Sequence, residues 1–192
     1  MRLLQHRKNV KQKILHANPN NVVDEMEMLH NKYGQTQFTF YDDAFTVDKT
    51  RVEKICQELR HRKLAINWDC ETRVDMVNKN LLQTMRAAGC IAVWFGVESG
   101  SQSILGKMNK KIKLDQTRNA YKSAREMGLM TVASTVIGFP GETEQTAWET
   151  TNFIKELNPD DIGFYVATPY PGKPMCELVK QKGWLRITDF DK

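Results

Sequence analysis

Five segments rich in β-branched and aromatic residues recur along the chain at intervals of 27 to 39 residues, centred near Phe38, Ile66, Val93, Val132 and Phe164. The third of them, CIAVWFGVES, is apolar almost throughout, as expected of a strand that is buried on both faces of a parallel sheet. Each interval leaves room for one crossover helix, which predicts parallel strands joined by right-handed βα connections. The spacing predicts an α/β fold and leaves both a doubly wound open sheet and a βα barrel open.

Helical segments with apolar periodicity separate these strands. Asn20 and Asn21 are placed to cap the first helix, Asp48 the second, and glycines follow several predicted ends. We read one domain over residues 20–192, preceded by a basic arm over residues 1–19. The later helices are predicted over residues 75–89, 102–108, 115–127, 142–157 and 174–182.

Charge is concentrated at the start of the chain. The formal net charge is +5, yet residues 1–16 contain five basic residues and no acid, so the remainder is neutral. A nucleic-acid-binding protein should carry clustered basic residues on the fold itself. We therefore expect a solvated arm and no nucleic-acid partner. We also expect no membrane partner, because no apolar run or signal peptide is present.

The cysteines and histidines exclude several kinds of site. The four cysteines, Cys56, Cys70, Cys90 and Cys176, show no Cys-x-x-Cys pair and no histidine at ligand spacing. We expect buried, reduced thiols in a cytoplasmic protein. All four histidines lie in the arm or on predicted helices, which argues against catalysis by a Ser-His-Asp triad or a metal–histidine site.

Every predicted strand ends in residues that a core would not select. The carboxyl ends of parallel strands meet at one edge or mouth of the sheet, so five such ends in register predict a ligand site there. The residues in question are Asp42 and Asp43; Asp69, Glu71 and Arg73; Gly96, Glu98 and Ser99; Gly138, Pro140 and Gly141; and residues 168–172.

Several of these site assignments also have a purely structural explanation. Asp42 and Asp43 are adjacent, so they would point to opposite faces of a strand, and they could equally begin a turn. Glu98 follows an apolar run and needs a partner, which could be a ligand or Arg73. Lys110 lies in a charge run that is ordinarily solvated.

Six ordered segments carry a resemblance to a known family: FYDDAFT, WDCETRVDMV, AGCIAVWFGVESGSQSIL, NKKI, STVIGFPGETEQT and ATPYPGKPM. Together they resemble the radical S-adenosylmethionine (SAM) superfamily, and in particular the branch whose members often carry a cobalamin-binding domain upstream. The resemblance covers roughly residues 20 to 185. It implies a partial βα barrel, with this chain supplying about five parallel strands, barrel strands 2 to 6, and helices outside.

The resemblance also implies a set of SAM-binding residues. Asp42 and Asp43 stand where the family binds the SAM amino group, Glu98 where a polar residue helps to bind SAM, and Lys110 where a base pairs with the SAM carboxylate. The remaining implied contacts are Ser134 to the ribose, Val136 to adenine, the backbone near Ala167 to the adenine edge and, more loosely, Asp69 or Glu71 as a ribose-side acid. Gly138 would keep side chains away from the base, and Arg73 is a further candidate SAM-binding residue.

The sequence departs from the family pattern in one important respect. Members of the family hold a [4Fe–4S] cluster with the motif Cys-x₃-Cys-x₂-Cys, and this sequence contains no such motif. We expect the chain to be a fragment that begins after the cluster loop, with weak or no SAM binding and no reductive cleavage of SAM on its own. The strand edge left open would then be covered by the basic arm or by a homodimer.

For the full protein, the resemblance implies reductive formation of a 5′-deoxyadenosyl radical from SAM. A ferredoxin or flavodoxin would be the electron donor, and cobalamin-dependent methyl transfer to an unidentified small molecule is the favoured outcome. Two alternatives are a non-catalytic SAM- or nucleotide-binding module and an unrelated βα-barrel enzyme that binds Mg²⁺ through strand-end carboxylates.

Overall fold

The computed structural model describes residues 17–186. Helices and strands alternate along this part of the chain. The strands are β1 (Gln37–Phe40), β2 (Asn67–Arg73), β3 (Cys90–Glu98), β4 (Met130–Ile137) and β5 (Asp161–Val166). The helices are α1 (Pro19–Tyr33), α2 (Lys49–His61), α3 (Lys79–Ala87), α4 (Gln102–Lys107), α5 (Leu114–Glu126), α6 (Glu144–Leu157) and α7 (Pro174–Gln181).

The five strands form one parallel sheet in the order β1-β2-β3-β4-β5. Each strand therefore lies beside its predecessor, and the order never reverses as it does in a doubly wound sheet. The sheet curls into a half-barrel. The predicted partial barrel of about five parallel strands is confirmed, and the open-sheet alternative is wrong.

Alternation along the strands separates a convex face from a concave one. On the convex face, Trp68, Cys70 and Thr72 of β2 and Val93, Phe95 and Val97 of β3 are buried against the helices. The strand register places Asp69, Glu71 and Arg73 on the opposite, concave face, beside Ala92, Trp94 and Gly96 of β3. The polar residues of β2 therefore point into the half-barrel.

The core lies between the convex face and the helices. Trp68 is fully buried, and its indole Nε1 donates a hydrogen bond to the carbonyl of Ala88 at 2.8 Å. The Tyr121 ring on α5 packs against Phe95, with ring centroids 5.2 Å apart. All four cysteines are free and buried, as predicted, and burial raises the pKa of Cys56 to about 12. The thiols therefore belong to the core.

Several predicted boundaries are wrong for local reasons. The first helix is capped by Asn18 with Pro19 following, two residues earlier than expected. The helix predicted from Asp75 begins only at Lys79, because Val77 is extended and Asn78 is the cap. The last helix before β5 begins at Glu144, since the Thr143 hydroxyl caps it.

Within residues 17–186, the outer strands β1 and β5 each pair with a single neighbour. The predicted coverage of β1 by the basic arm concerns residues 1–16, which lie outside the described residues, and the homodimer through this edge stays a prediction. No helix within residues 17–186 has the length and apolar character to cross a membrane.

Candidate functional site

The end of β3 carries the most unusual backbone on the concave face. The register with β4 shifts between Gly96 and Glu98, which marks a β-bulge. Glu98 has a φ of 65°, a left-handed conformation that side chains with a Cβ rarely adopt. Its carboxylate folds back over Gly96, since a Cβ at that glycine would lie 3.1 Å from Glu98 Oε1. Strained residues of this kind concentrate at ligand sites.

Lys110 approaches this carboxylate from the loop after α4. Its Nζ lies 2.5 Å from Glu98 Oε1, and both side chains are partly buried, at 33% and 21% exposure. Asn109, with a φ of 55°, turns the chain back after α4, and the Lys110 amide then donates to the Leu105 carbonyl. Lys111, the next residue, is exposed. The charge run therefore divides into one paired lysine and one solvated lysine.

A cavity of about 590 Å³ opens beside this ion pair at the carboxyl ends of β3, β4 and β5. This size is within the range of small-molecule sites, about 300–1,000 Å³. Polar and apolar groups converge on it. Its lining residues are Glu98, Met108, Lys110, Val136, Phe139, Tyr165, Val166, Ala167, Thr168, Tyr170, Lys173 and Met175.

The GFPGE segment after β4 forms a tight turn into α6. Gly138 and Gly141 have φ values of 76° and 92°, which explains why glycine stands at both positions. The Glu142 carboxylate accepts a hydrogen bond from the Gly138 amide at 2.6 Å, and Lys107 Nζ donates to the Gly141 carbonyl at 2.8 Å. The turn thus holds the end of β4, and with it Val136, against the cavity.

Four of the residues predicted from the sequence meet at this cavity, namely Glu98, Lys110, Val136 and Ala167. Glu71, Arg73 and Ser134 lie on the same concave face without lining it. Gly138 lines a neighbouring depression with the rest of the GFPGE turn. Binding roles for these last residues stay predictions.

The two adjacent aspartates do not stand where the sequence suggested. β1 ends at Phe40, so Asp42 and Asp43 lie beyond the strand, where both are exposed. The opposite-face reasoning for a strand pair therefore does not apply to them. A role in binding the SAM amino group is untested and stays a prediction.

Arg73 pairs with a different acid from the one considered above. Its guanidinium donates to both oxygens of Asp75, at 2.9 and 2.8 Å, and the alternative in which Arg73 is the partner of Glu98 is wrong. The arginine lowers the pKa of Asp75, chiefly through this hydrogen bond. Asp75 lies in a short 3₁₀ turn directly after β2, close enough in sequence for a bidentate contact.

Sequence reasoning missed several cavity residues, among them Met108, Phe139 and Tyr165. Tyr165 pairs in register with Val136 and shares its face. Alternation along β5 from Ala167 would have found it, since residues two apart on a strand point the same way. Met108 and Phe139 belong to loops, whose side-chain directions no periodicity predicts.

The site fits SAM among the implied cofactors. Glu98 and Lys110 offer an acceptor and a cation, and Val136 offers an apolar surface, which match the ribose, carboxylate and adenine of SAM. The iron–sulfur cluster does not fit, because all four cysteines are buried in the core. Within residues 17–186, no group of three or more His, Cys, Asp or Glu side chains is placed to hold a metal ion.

The fold and the cavity define a class of protein: a parallel βα half-barrel with a ligand site at the carboxyl ends of its strands. The family model of the radical SAM superfamily matches residues 6–154. The chain therefore belongs to the radical SAM superfamily, whose members are enzymes, and the resemblance described above is confirmed.

Two curated relatives cover most of the chain. An uncharacterized methyltransferase of Pyrococcus horikoshii is 36% identical over 176 residues, which is 88% of this chain and 38% of that protein. An anaerobic magnesium-protoporphyrin IX monomethyl ester cyclase of Rubrivivax gelatinosus is 30% identical over 176 residues, 91% of this chain and 31% of that protein. The chain thus spans about a third of the length of these relatives.

A solved structure supports the fold. The radical SAM methyltransferase TsrM from Kitasatospora setae, with cobalamin and a [4Fe–4S] cluster bound, superimposes with a TM-score of 0.76 at 22% identity. The match covers 85% of this chain and 34% of that one. At this identity the likeness establishes the shared half-barrel.

Proposed function

We propose that the chain is the SAM-binding wall of a radical SAM enzyme. The observation that carries the proposal is the Glu98–Lys110 ion pair, set at a strained bulge in the strand-end cavity. In this assignment Lys110 pairs with the SAM carboxylate, Glu98 accepts from ribose hydroxyls, and Val136 packs on adenine. In enzymes of this superfamily, SAM that is bound together with the iron–sulfur cluster supplies a 5′-deoxyadenosyl radical.

The residues of this chain bind and orient SAM and exclude water from it. Apolar residues line the same cavity as the ion pair, among them Val136, Phe139 and Ala167. An apolar wall strengthens the contacts of the neighbouring charges because it lowers the local dielectric constant. The cysteines do not supply cluster ligands, so the chemistry assigned to this chain is confined to binding and positioning.

Methyl transfer is the reaction we favour for the full protein, with cobalamin as a further cofactor. Several relatives are named as methyltransferases, including a cytidylyl-2-hydroxyethylphosphonate methyltransferase of Streptomyces wedmorensis at 25% identity. The cyclase relatives give an oxidative ring closure as the second candidate. A transferred labelled methyl group in the product distinguishes the first reaction from the second.

Two alternatives follow from the sequence: an unrelated Mg²⁺-dependent barrel and a non-catalytic SAM- or nucleotide-binding module. Family membership excludes an unrelated Mg²⁺-dependent barrel. A non-catalytic SAM-binding module shares the cavity and differs only in turnover, so 5′-deoxyadenosine formation by the full protein separates it from the enzyme.

Paired lysine variants test the SAM site. We expect Lys110→Met in the full protein to weaken SAM binding at least tenfold, because a charge-assisted contact contributes about 1.5–3 kcal/mol. Lys111→Met is the matched control, since its side chain is exposed and next in sequence. Isothermal titration calorimetry with SAM measures both. Equal affinities for the two variants would contradict the assignment of Lys110.

A further inference from the structure

Three positions in register across the middle of the concave face are unusually small. Gly96 of β3 pairs with Ser134 of β4, and Ser134 pairs with Gly163 of β5. A row of glycine, serine and glycine places no large side chain of its own on these three neighbouring strands. This row lies directly below the cavity, one layer further into the half-barrel than Val136.

Each glycine of the row is covered by the side chain two residues further along its own strand. The Glu98 carboxylate folds back over Gly96, as described above. The Tyr165 ring folds back over Gly163, because a Cβ at that glycine would lie 3.0 Å from Tyr165 Cε2 and 3.1 Å from its hydroxyl oxygen. Such a Cβ would push the ring, so Gly163 permits the position of Tyr165.

The Glu98 and Tyr165 side chains both line the cavity, one from β3 and one from β5. Ser134 of β4 lies between their two strands in the register. Neighbouring strand backbones lie about 4.8 Å apart, so the backbones of β3 and β5 are separated by about 10 Å. Tyr165 is 52% exposed and lines the same cavity as Glu98, Lys110 and Val136, so its ring is available to a ligand.

We propose that Tyr165 is a positioning residue for the adenosyl group of SAM, held in place by Gly163 and acting opposite Glu98. The inference rests on the proposed SAM site and adds a contact on β5. The ring surface packs against the sugar and fixes the adenosyl group relative to the barrel interior. Nothing in this contact requires the phenol to ionise or to lose its hydrogen.

The test uses the full protein and measures the dissociation constant of SAM by calorimetry. An aromatic contact is worth about 0.5–1.5 kcal/mol, so Tyr165→Ala should weaken SAM binding up to about tenfold. Tyr165→Phe keeps the ring and should bind within about threefold of wild type. Phe164→Ala is the matched control, because Phe164 is the adjacent residue, 55% exposed on the convex face, and its loss should leave the affinity unchanged.

A double-mutant cycle tests whether Gly163 acts through Tyr165. Gly163→Ala alone should weaken SAM binding, whereas in the Tyr165→Ala background it should have no further effect. Additive losses would overturn the role of Gly163. Wild-type affinity of Tyr165→Ala would overturn the proposal for Tyr165, and a loss of affinity in Lys110→Met would show that the SAM site itself stands. If SAM binding is unaffected by both Tyr165→Ala and Lys110→Met, the proposed site fails as well.

Discussion

Glu98 combines a strained backbone with a charged side chain, and two substitutions separate the strain from the charge. Glu98→Ala keeps a Cβ in the left-handed conformation and removes the carboxylate, whereas Glu98→Gly removes both. A left-handed residue with a Cβ costs about 1–2 kcal/mol. Glycine avoids this cost but loses about 0.5–1 kcal/mol of additional backbone entropy on folding. On balance, the glycine variant should be more stable than the alanine variant by about 0.5–1 kcal/mol.

Both variants lose the ion pair with Lys110. The two side chains are 33% and 21% exposed, so solvent screens the pair and its loss should cost no more than about 1 kcal/mol. Glu98→Gly should therefore have a stability close to that of wild type, while its affinity for SAM falls at least tenfold through the lost charge-assisted contact. A residue whose removal leaves stability intact and abolishes binding is there for the ligand.

Urea unfolding and calorimetric titration with SAM measure the two effects on the same samples. Thermal unfolding of the same variants gives a second readout, in which a difference of 1 kcal/mol should shift the melting temperature of a domain of this size by about 2–4 °C. The reasoning is refuted if Glu98→Gly loses more than about 2 kcal/mol of stability and still binds SAM as wild type does. Glu98 would then be a structural residue.

Two further predictions concern stability. Gly100→Ala should destabilise the fold by about 1–3 kcal/mol, because a Cβ there would lie 2.6 Å from Phe153 Cβ. Gly106→Ala is the control and should be neutral or stabilising, because the space around Gly106 is open. Urea unfolding measures both variants, and equal stabilities would contradict the prediction. Asp75, whose pKa is lowered by Arg73, should contribute stability above the ordinary carboxyl pKa and lose it as the pH falls through its lowered pKa. The stability difference between wild type and Asp75→Asn should accordingly shrink between pH 7 and pH 3, and a constant difference would rule out the pair as its cause.

The positions and the parallel direction of the strands were predictable from the sequence. Strand length, apolar content and spacing depend on local composition and on the reach of a crossover helix, and these placed every strand near its observed position. The barrel itself could not be inferred from spacing, because an open sheet satisfies the same intervals. The choice between the two came from the family resemblance, and the consecutive strand order confirms it.

Val136 and Ala167 were placed by the family resemblance, and both line the cavity. The partner of Glu98 was not predictable, because the bulge and the left-handed φ redirect its carboxylate over Gly96 toward Lys110, twelve residues further on. Arg73 was considered as an alternative partner for Glu98. It pairs instead with Asp75, because the short 3₁₀ turn after β2 brings Asp75 back beside it.

Photo-crosslinking of the full protein with an azidoadenosyl analogue of SAM tests the central claim most directly, because it reports where the adenine lies. The account predicts that the labelled peptides come from the end of β4 and from β5 and the segment after it, residues 134–139 and 165–168. Excess SAM should compete away this labelling. Labelling confined to peptides outside these two segments, or labelling that SAM does not displace, would contradict the assignment of the strand-end cavity as the SAM site.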